Sequence, residues 1–138
     1  MRKVNRVVLH CTATQQSATV QSILNYWKHV KKWKSVGYHW IIEPCGNAVC
    51  LAPIQEVVNG ARGFNRDSIH ISYIGGVDKN NIPKDTRTCA QKDKTEFLLK
   101  GLRGQFPDIE ITGHNKLKGV TKACPSFDID EWLKEIKL

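Results

Sequence analysis

The sequence contains no uninterrupted apolar run that is long enough to cross a membrane as a helix. Such a helix needs roughly 18 apolar residues in a row, and charged or polar side chains interrupt every stretch of the chain sooner. The basic N-terminal segment, MRKVNRVVLHCTATQQ, also lacks the apolar block of about 7 to 15 residues and the cleavage site of an export signal. We therefore expect a chain that does not span a bilayer, carries no signal peptide and is cytoplasmic in the producing cell.

Internal repeats, low-complexity segments and linkers are absent as well. The apolar, charged and aromatic fractions of 41%, 25% and 8% are close to those of ordinary globular proteins, which excludes collagenous, coiled-coil and largely disordered chains. A length of 138 residues lies within the range of about 100 to 150 residues that a compact domain most often has. We therefore expect residues 1–138 to form a single domain.

Acidic residues are too few to balance the basic ones, since 21 Lys and Arg stand against 13 Asp and Glu and give a net charge of +8. Such a charge favours an anionic partner, whether nucleic acid, an acidic polymer or a membrane surface. The basic residues are scattered, however, and nothing in the sequence resembles a recognition helix or an alternation of basic and aromatic residues. A solvated basic surface explains the charge equally well, and we expect no obligatory nucleic-acid partner.

Close cysteine pairs are missing too. The chain has five cysteines, an odd number without an export signal, which favours free thiols or metal ligation over a disulfide framework. Structural zinc sites commonly use pairs such as CxxC, and no such pair occurs here. Any metal site in this chain is therefore expected to combine residues that lie far apart in the sequence.

Hydrophobic periodicity predicts five strands and three helices. Alternating and β-branched segments predict strands over residues 4–10, 38–43, 48–52, 68–74 and 109–113. Apolar residues at helical spacing predict a first helix over 20–30, opened by Ser17 or Thr19, and a last helix over 129–136. Between them, Phe97, Leu98 and Leu102 predict a helix that ends near Gly104. The order predicts an α/β domain, a central mixed β-sheet of about five strands flanked by helices.

Three residues with metal-binding side chains lie near the ends of predicted strands. His10 ends the first strand, His114 follows the fifth, and Cys124 lies in the loop before the last helix. Open α/β sheets keep their ligand sites at such strand ends. Two imidazoles and one thiolate suit Zn²⁺, and three protein ligands leave a fourth position open, as in catalytic sites. Spacing alone fits hydrogen-bonded histidines and an inert buried cysteine equally well, so both interpretations stay open at this point.

Six strings in a fixed order narrow the choice: VVLHCTAT, GYHWII, FNRDSIHISYIGGVD, PKDTRT-x-AQ, ITGH and KACPSFD. Together they resemble the zinc-dependent N-acetylmuramoyl-L-alanine amidases, the family of the short phage endolysins and the peptidoglycan recognition proteins, over about residues 4–133. The resemblance implies a zinc amidase that cuts between N-acetylmuramic acid and L-alanine in peptidoglycan. It also implies one Zn²⁺ per chain, held at a cleft on the sheet.

The same resemblance implies roles for individual residues. His10, His114 and Cys124 correspond to the zinc ligands of the family, and Tyr38 and Lys122 to its accessory catalytic pair. A hydroxyl donor or a cation held about 3 Å from a developing oxyanion stabilises it. The two accessory residues are expected to supply that stabilisation.

Substrate contacts are expected from the fourth predicted strand and the loop before it. His70 and Ser72 share a polar face of that strand, which predicts that His70 contacts the substrate, and Arg62 and Asn65 are further expected contacts. Two positions depart from the family pattern. Relatives often carry a histidine at the place of Gly60, and many have glycine at the place of His70. Recognition of the glycan or the stem peptide is therefore expected to differ, whereas the zinc ligands are retained.

Other functions stay open beside a cell-wall lysin, which is made in the cytoplasm and acts after release. A cytosolic amidase that trims recycled muropeptides also suits the missing signal peptide. A non-catalytic peptidoglycan-binding module typically lacks a zinc ligand, most often the cysteine, and this chain keeps all three. A nucleic-acid-binding or polymerase-binding role finds no support in the scattered charge. We expect a monomer with bacterial peptidoglycan or muropeptides as its partner and no membrane association.

Overall fold

The structure, a computed structural model, describes residues 2–138 as a five-stranded sheet with helices on both faces. The strands are β1 (Arg6–Cys11), β2 (Trp40–Ile42), β3 (Ala48–Cys50), β4 (Ser68–Tyr73) and β5 (Glu110–Gly113). The helices are α1 (Val20–His29), α2 (Cys89–Gln105) and α3 (Ile129–Glu135), and two short 3₁₀ helices cover Asn65–Asp67 and His114–Lys116. The α/β fold predicted from the sequence is confirmed.

The sheet is mixed, with strand order β3-β2-β4-β1-β5. β1 lies between β4 and β5 and pairs with both in parallel, and β2 pairs in parallel with β4. Of these five described strands, only β3 runs antiparallel, at one edge. Parallel strands end at the same edge of a sheet, so the residues that follow β1, β4 and β5 lie close together.

Register determines which polar side chains share a face. In the β1–β4 pair, Val8 is opposite His70 and His10 is opposite Ser72. Because successive side chains of a strand point to opposite faces, all four of these side chains lie on one face of the sheet. In the β1–β5 pair, Leu9 is opposite Gly113. His10 and His114 are the next residues along the two parallel segments, so they lie side by side.

The other face of β1 and β4 carries the main apolar core. Val7 and Leu9 of β1 and Ile69 and Ile71 of β4 are at most 2% exposed. They form one cluster with apolar side chains of the two C-terminal helices, Leu99, Leu102, Ile129 and Trp132. Each such side chain contributes about 1.5 to 3 kcal/mol when it is fully buried, so this face is the main source of stability.

Helix α1 covers part of the opposite face. Ile23 and Trp27 are its buried residues and pack against Ile41 and Ile74. Of the two predicted N-caps, Thr19 is the one that caps the helix: its hydroxyl accepts from the N–H of Ser22, whose hydroxyl lies 3.1 Å from the Thr19 N–H. This reciprocal capping box satisfies donors that a helix otherwise leaves unpaired.

Helix α2 forms where the sequence predicts a helix, but the three apolar residues that mark it are not all buried. Leu102 is buried and Leu98 packs against the main core, whereas Phe97 is 69% exposed. The buried residues of the helix are Gln91, Thr95, Leu99 and Leu102. Two of the four are polar, so hydrophobic periodicity alone identifies only part of the buried face of this helix.

Gln91 is fully buried because all of its polar atoms have partners. Its Nε2 donates to the carbonyl oxygens of Ile42 and Ile74, at 3.0 and 3.1 Å, and its Oε1 accepts from the N–H of Thr88 at 2.9 Å. Thr88 in turn caps α2. The second half of the PKDTRT-x-AQ string thus fastens α2 to the ends of two central strands.

The structure describes no helix in residues 2–138 that has both the length and the apolar character needed to cross a bilayer.

Replacing Gln91 with Met keeps the size of the side chain but removes three hydrogen bonds. We expect the free energy of unfolding to fall by about 2 to 4 kcal/mol, because buried backbone groups lose their partners. Phe97→Ser on the exposed side of the same helix serves as the control, with an expected change within about 0.5 kcal/mol. Chemical denaturation of both variants measures the difference, and equal stabilities would contradict this description of α2.

Candidate metal centre

Three side chains with metal-binding atoms converge where β1 and β5 end. The ligand atoms that His10, His114 and Cys124 offer all lie within 4.8 Å of one another. The two imidazole rings are 4.7 Å apart between centroids, and the Cys124 Sγ lies 3.9 Å from the Nδ1 of His10. Two imidazole nitrogens and one sulfur within this distance are a donor set that suits Zn²⁺ and leaves a fourth position open.

Each member of the group is positioned by a different part of the fold. His10 lies on the polar face of β1, and His114 begins the 3₁₀ helix that follows β5. Cys124 belongs to the segment before α3, where its Sγ accepts a hydrogen bond from the N–H of Cys11 at 3.2 Å. Cys11 itself packs in the apolar core, as strand alternation predicts. The site therefore depends on segments more than 100 residues apart in the chain.

Both histidines of the group are held in the form that binds metals. Burial is the largest cause that lowers the pKa of His10 well below 6.5, and the neighbouring His70 and His114 lower it further. Burial also lowers the pKa of His114, and the charge of Lys122 adds to that effect. Neutral imidazoles have a free lone pair, so neither ring has to lose a proton at neutral pH before it ligates.

The thiol of Cys124, in contrast, is held in its protonated form, which does not bind a metal. Its contact with the Cys11 thiol and its burial both raise the pKa of Cys124, whereas the charge of Lys122 lowers it. A metal ion beside such a thiol deprotonates it. The candidate ligand set thus combines two neutral imidazoles that can bind a metal directly with one thiol that ionises only beside a cation.

Tyr38 lies beside the group. The sequence predicts that Tyr38 is the first residue of the second strand, but β2 begins at Trp40, so Tyr38 precedes it. Its ring centroid is 4.9 Å from that of His10, and its hydroxyl donates to the carbonyl oxygen of Cys11 at 3.3 Å. Burial raises the pKa of Tyr38 well above 10. The phenol therefore keeps its proton and remains a hydrogen-bond donor.

Lys122 is exposed and lies in the same segment as Cys124. Its charge acts on His10, His114 and Cys124, in each case as a minor cause of the pKa shift. Lys122 is therefore an exposed cation whose charge reaches all three residues of the group.

His70 is expected from the sequence to contact the substrate, but its position in the structure does not suit that role. Its side chain is 0% exposed and offers no surface to a substrate. Its Nδ1 is instead 2.8 Å from the Nε2 of His10. Burial, followed by the neighbouring His39, lowers the pKa of His70 to about 3, so the ring is neutral.

The loop before β4 carries the other two expected substrate contacts. Arg62 is exposed and Asn65 is half-buried. The side-chain oxygen of Asn65 accepts from the N–H of Ala61 at 2.8 Å, which braces the loop internally. Arg62 is thus accessible, whereas part of Asn65 is occupied by the loop itself.

The contact between His10 and His70 is the feature that sequence reasoning missed. Alternation within each strand puts each histidine on the polar face of its own strand. Only the parallel pairing of β1 with β4, which hydrophobic patterns do not specify, makes the two rings neighbours.

This fold and this group define an α/β protein with a candidate metal centre at the carboxyl ends of its parallel strands. A family model described as N-acetylmuramoyl-L-alanine amidase matches residues 1–127. An endolysin of Enterobacteria phage K11 is 30% identical over 134 residues, which cover 96% of this chain and 87% of that protein.

Solved structures show the same fold. The Ph2119 endolysin from Thermus scotoductus MAT2119 bacteriophage Ph2119 superposes with a TM-score of 0.82 at 20% identity, covering 99% of this chain and 86% of the other. The N-acetylmuramoyl-L-alanine amidase LysC from Clostridium intestinale URNW also gives a TM-score of 0.82, at 21% identity and with coverage of 99% and 87%.

The chain therefore belongs to the N-acetylmuramoyl-L-alanine amidase family. Its activity is that of a peptidoglycan amidase, which hydrolyses the amide bond between N-acetylmuramic acid and L-alanine.

Proposed function

We propose that His10, His114 and Cys124 hold one catalytic zinc ion and that the chain uses it as a cell-wall lysin. The observation that carries this proposal is the convergence of their three ligand atoms within 4.8 Å at the ends of the parallel strands. The similarity to phage endolysins over nearly the whole chain favours the wall as substrate. On this proposal the chain is made in the cytoplasm, reaches the wall after release, and acts as a monomer.

The donor set fits zinc. His10 directs its Nδ1 toward the sulfur of Cys124 while its Nε2 contacts His70, so one nitrogen of the ring is directed to the centre and the other is engaged. When bound, the ion supplies a Lewis acid that polarises the scissile carbonyl and makes water a better nucleophile. The surrounding side chains are proposed to bind the substrate and to stabilise the charge that develops in the reaction.

Tyr38 and Lys122 are proposed to act on the negative charge that develops on the carbonyl oxygen. The Tyr38 phenol keeps its proton, because burial raises its pKa, and can turn from the carbonyl of Cys11 to donate to the oxyanion. Lys122, which is exposed, supplies a positive charge. Donors and cations that are already in place before the reaction stabilise such a charge without reorganisation.

The loop before β4 is proposed to contribute substrate contacts. Arg62 is exposed and cationic, which suits the carboxylates of a peptidoglycan stem peptide. Asn65 braces the same loop through Ala61 and thereby keeps Arg62 in place. Soluble muropeptides carry the same carboxylates, so the recycling of muropeptides is the second candidate function.

Purified sacculi test the proposed function. The chain is expected to release new L-alanine amino termini from them, to lose this activity to a chelator and to regain it with zinc. One zinc per chain is expected by elemental analysis. Activity on soluble muropeptides with intact sacculi would instead support the recycling enzyme.

Cysteine variants supply matched controls for the same assay. Cys124→Ser is expected to abolish both zinc binding and release of amino termini, because the sulfur ligand is lost. Cys89→Ser, which changes an exposed thiol, is expected to leave both unchanged. Full activity of the Cys124→Ser variant would contradict the proposed centre.

Tyr38→Phe and Lys122→Met test the accessory pair. Each is expected to lower kcat by about 100-fold, the usual cost of one oxyanion donor, with the zinc content unchanged. Lys118→Met removes another exposed lysine of the same segment and is expected to keep the parent kcat. Steady-state kinetics with zinc analysis of each variant measures this, and an unchanged kcat in both variants would rule out the assigned roles.

A further inference from the structure

We propose that His70 is a positioning residue, which accepts a hydrogen bond from the Nε2–H of His10 and so directs the Nδ1 of His10 to the metal. This inference rests on the proposed zinc centre. The Nε2 of His10 and the Nδ1 of His70 are 2.8 Å apart, and both side chains are almost fully buried, at 2% and 0% exposure. The contact is therefore short and shielded from water.

The proton positions follow from the chemistry of a neutral imidazole, in which one nitrogen carries a proton and the other has a lone pair. A metal ligand must offer its lone pair, so His10 keeps its proton on Nε2 when Nδ1 ligates. His70 then has to accept at Nδ1. Hydrogen bonds of this kind fix the tautomer and the orientation of metal-ligating histidines.

A second histidine holds His70 in place. The Nδ1 of His39 accepts a hydrogen bond from the backbone N–H of His70 at 3.0 Å, and the Nε2 of His39 donates to the carbonyl oxygen of Glu56 at 2.8 Å. The rings of His39 and His70 are nearly parallel, 5° apart, with centroids 6.2 Å apart. Three imidazoles thus form a row from a loop carbonyl to the candidate metal centre.

Gly60 makes the space that the His70 ring occupies. A Cβ built on Gly60 would lie 2.4 Å from both Cγ and Nδ1 of His70, closer than any side-chain atom can approach. The polypeptide backbone therefore packs directly against the ring on the side of the hydrogen-bonding nitrogen. Gly60 and His70 are matched in size, and a larger residue at position 60 is expected to displace the His70 ring.

The remaining nitrogen of His70 argues against a purely structural role. Within residues 2–138, its Nε2 is buried without a hydrogen-bond partner. An unpaired buried polar group costs about 1 to 3 kcal/mol, so an apolar side chain would serve packing better here. Among the residues that the structure describes, the contact with His10 is the one interaction of this imidazole that an apolar residue cannot make.

Two substitutions of equal size at position 70 separate hydrogen bonding from packing. In His70→Asn, the side-chain oxygen lies near the place of Nδ1 and can accept from His10, whereas His70→Leu has the same shape without an acceptor. Zinc affinity is measured by competition with a chelator. We expect the Leu variant to bind zinc about 10- to 100-fold more weakly and the Asn variant to stay within about threefold of the parent.

A cobalt-substituted sample of each variant adds a spectroscopic readout of ligand geometry. The Asn variant is expected to keep the parent absorption spectrum in the visible region, and the Leu variant to change it. Equal zinc affinities and equal spectra for the parent and the Leu variant would overturn the inference.

Gly60 gives an independent test, because its backbone packs against the His70 ring beside the hydrogen-bonding nitrogen. Gly60→Ala is expected to weaken zinc binding about tenfold by displacing His70, and to have no further effect in a His70→Ala background, because the two changes act on one contact. Gly101→Ala is the control, because among residues 2–138 no atom outside the adjacent residues and the helix's own nearby backbone lies within 4 Å of the added carbon. Effects of Gly60→Ala that are the same in both backgrounds would also overturn the inference.

These results separate the inference from the proposed function. A parent chain that binds no zinc refutes the zinc centre itself. A parent chain that binds zinc through Cys124, with a Leu variant that binds equally well, refutes only the role of His70.

Discussion

The parallel pairing of β1 with both β4 and β5 is the constraint on which the site depends. It places β1 at the interior of the sheet, with its apolar face on the C-terminal helices and its polar face toward the loop before β4 and the segment after β5. It also brings His10 beside His70 on one side and His114 on the other. A slip of one residue in β1 would move His10 into the apolar core and destroy both the core and the centre.

The polar face of the sheet is organised as a row of neutral histidines. His39, His70 and His10 are each at most 2% exposed, and burial lowers the pKa of all three. Buried charges are costly, whereas neutral imidazoles can be paired donor to acceptor. The row therefore stays uncharged in the interior and presents a lone pair at its end, where Cys124 and His114 complete the proposed ligand set.

Much of this arrangement can be predicted from the sequence, and the exceptions have physical reasons. Strands and helices follow from periodicity, and the proposed ligand set follows from the resemblance of six strings to a known family. Periodicity identifies only part of the buried face of α2, because that face also contains Gln91, a polar residue that bonds to strand ends. The burial of His70 also cannot be predicted from the sequence, because it depends on the pairing of β1 with β4. The two departures at Gly60 and His70, which look unrelated in the sequence, are one contact in the structure.

X-ray absorption at the zinc edge tests the central claim most directly, because it reports the atoms bound to the metal without relying on activity. The proposed centre predicts two imidazole nitrogens and one sulfur at the first-coordination distances of zinc in the parent chain. The sulfur contribution is expected to disappear in Cys124→Ser and to persist in Cys89→Ser. A parent spectrum without sulfur, or with the same sulfur contribution in Cys124→Ser, would contradict the assignment of His10, His114 and Cys124 as the metal ligands.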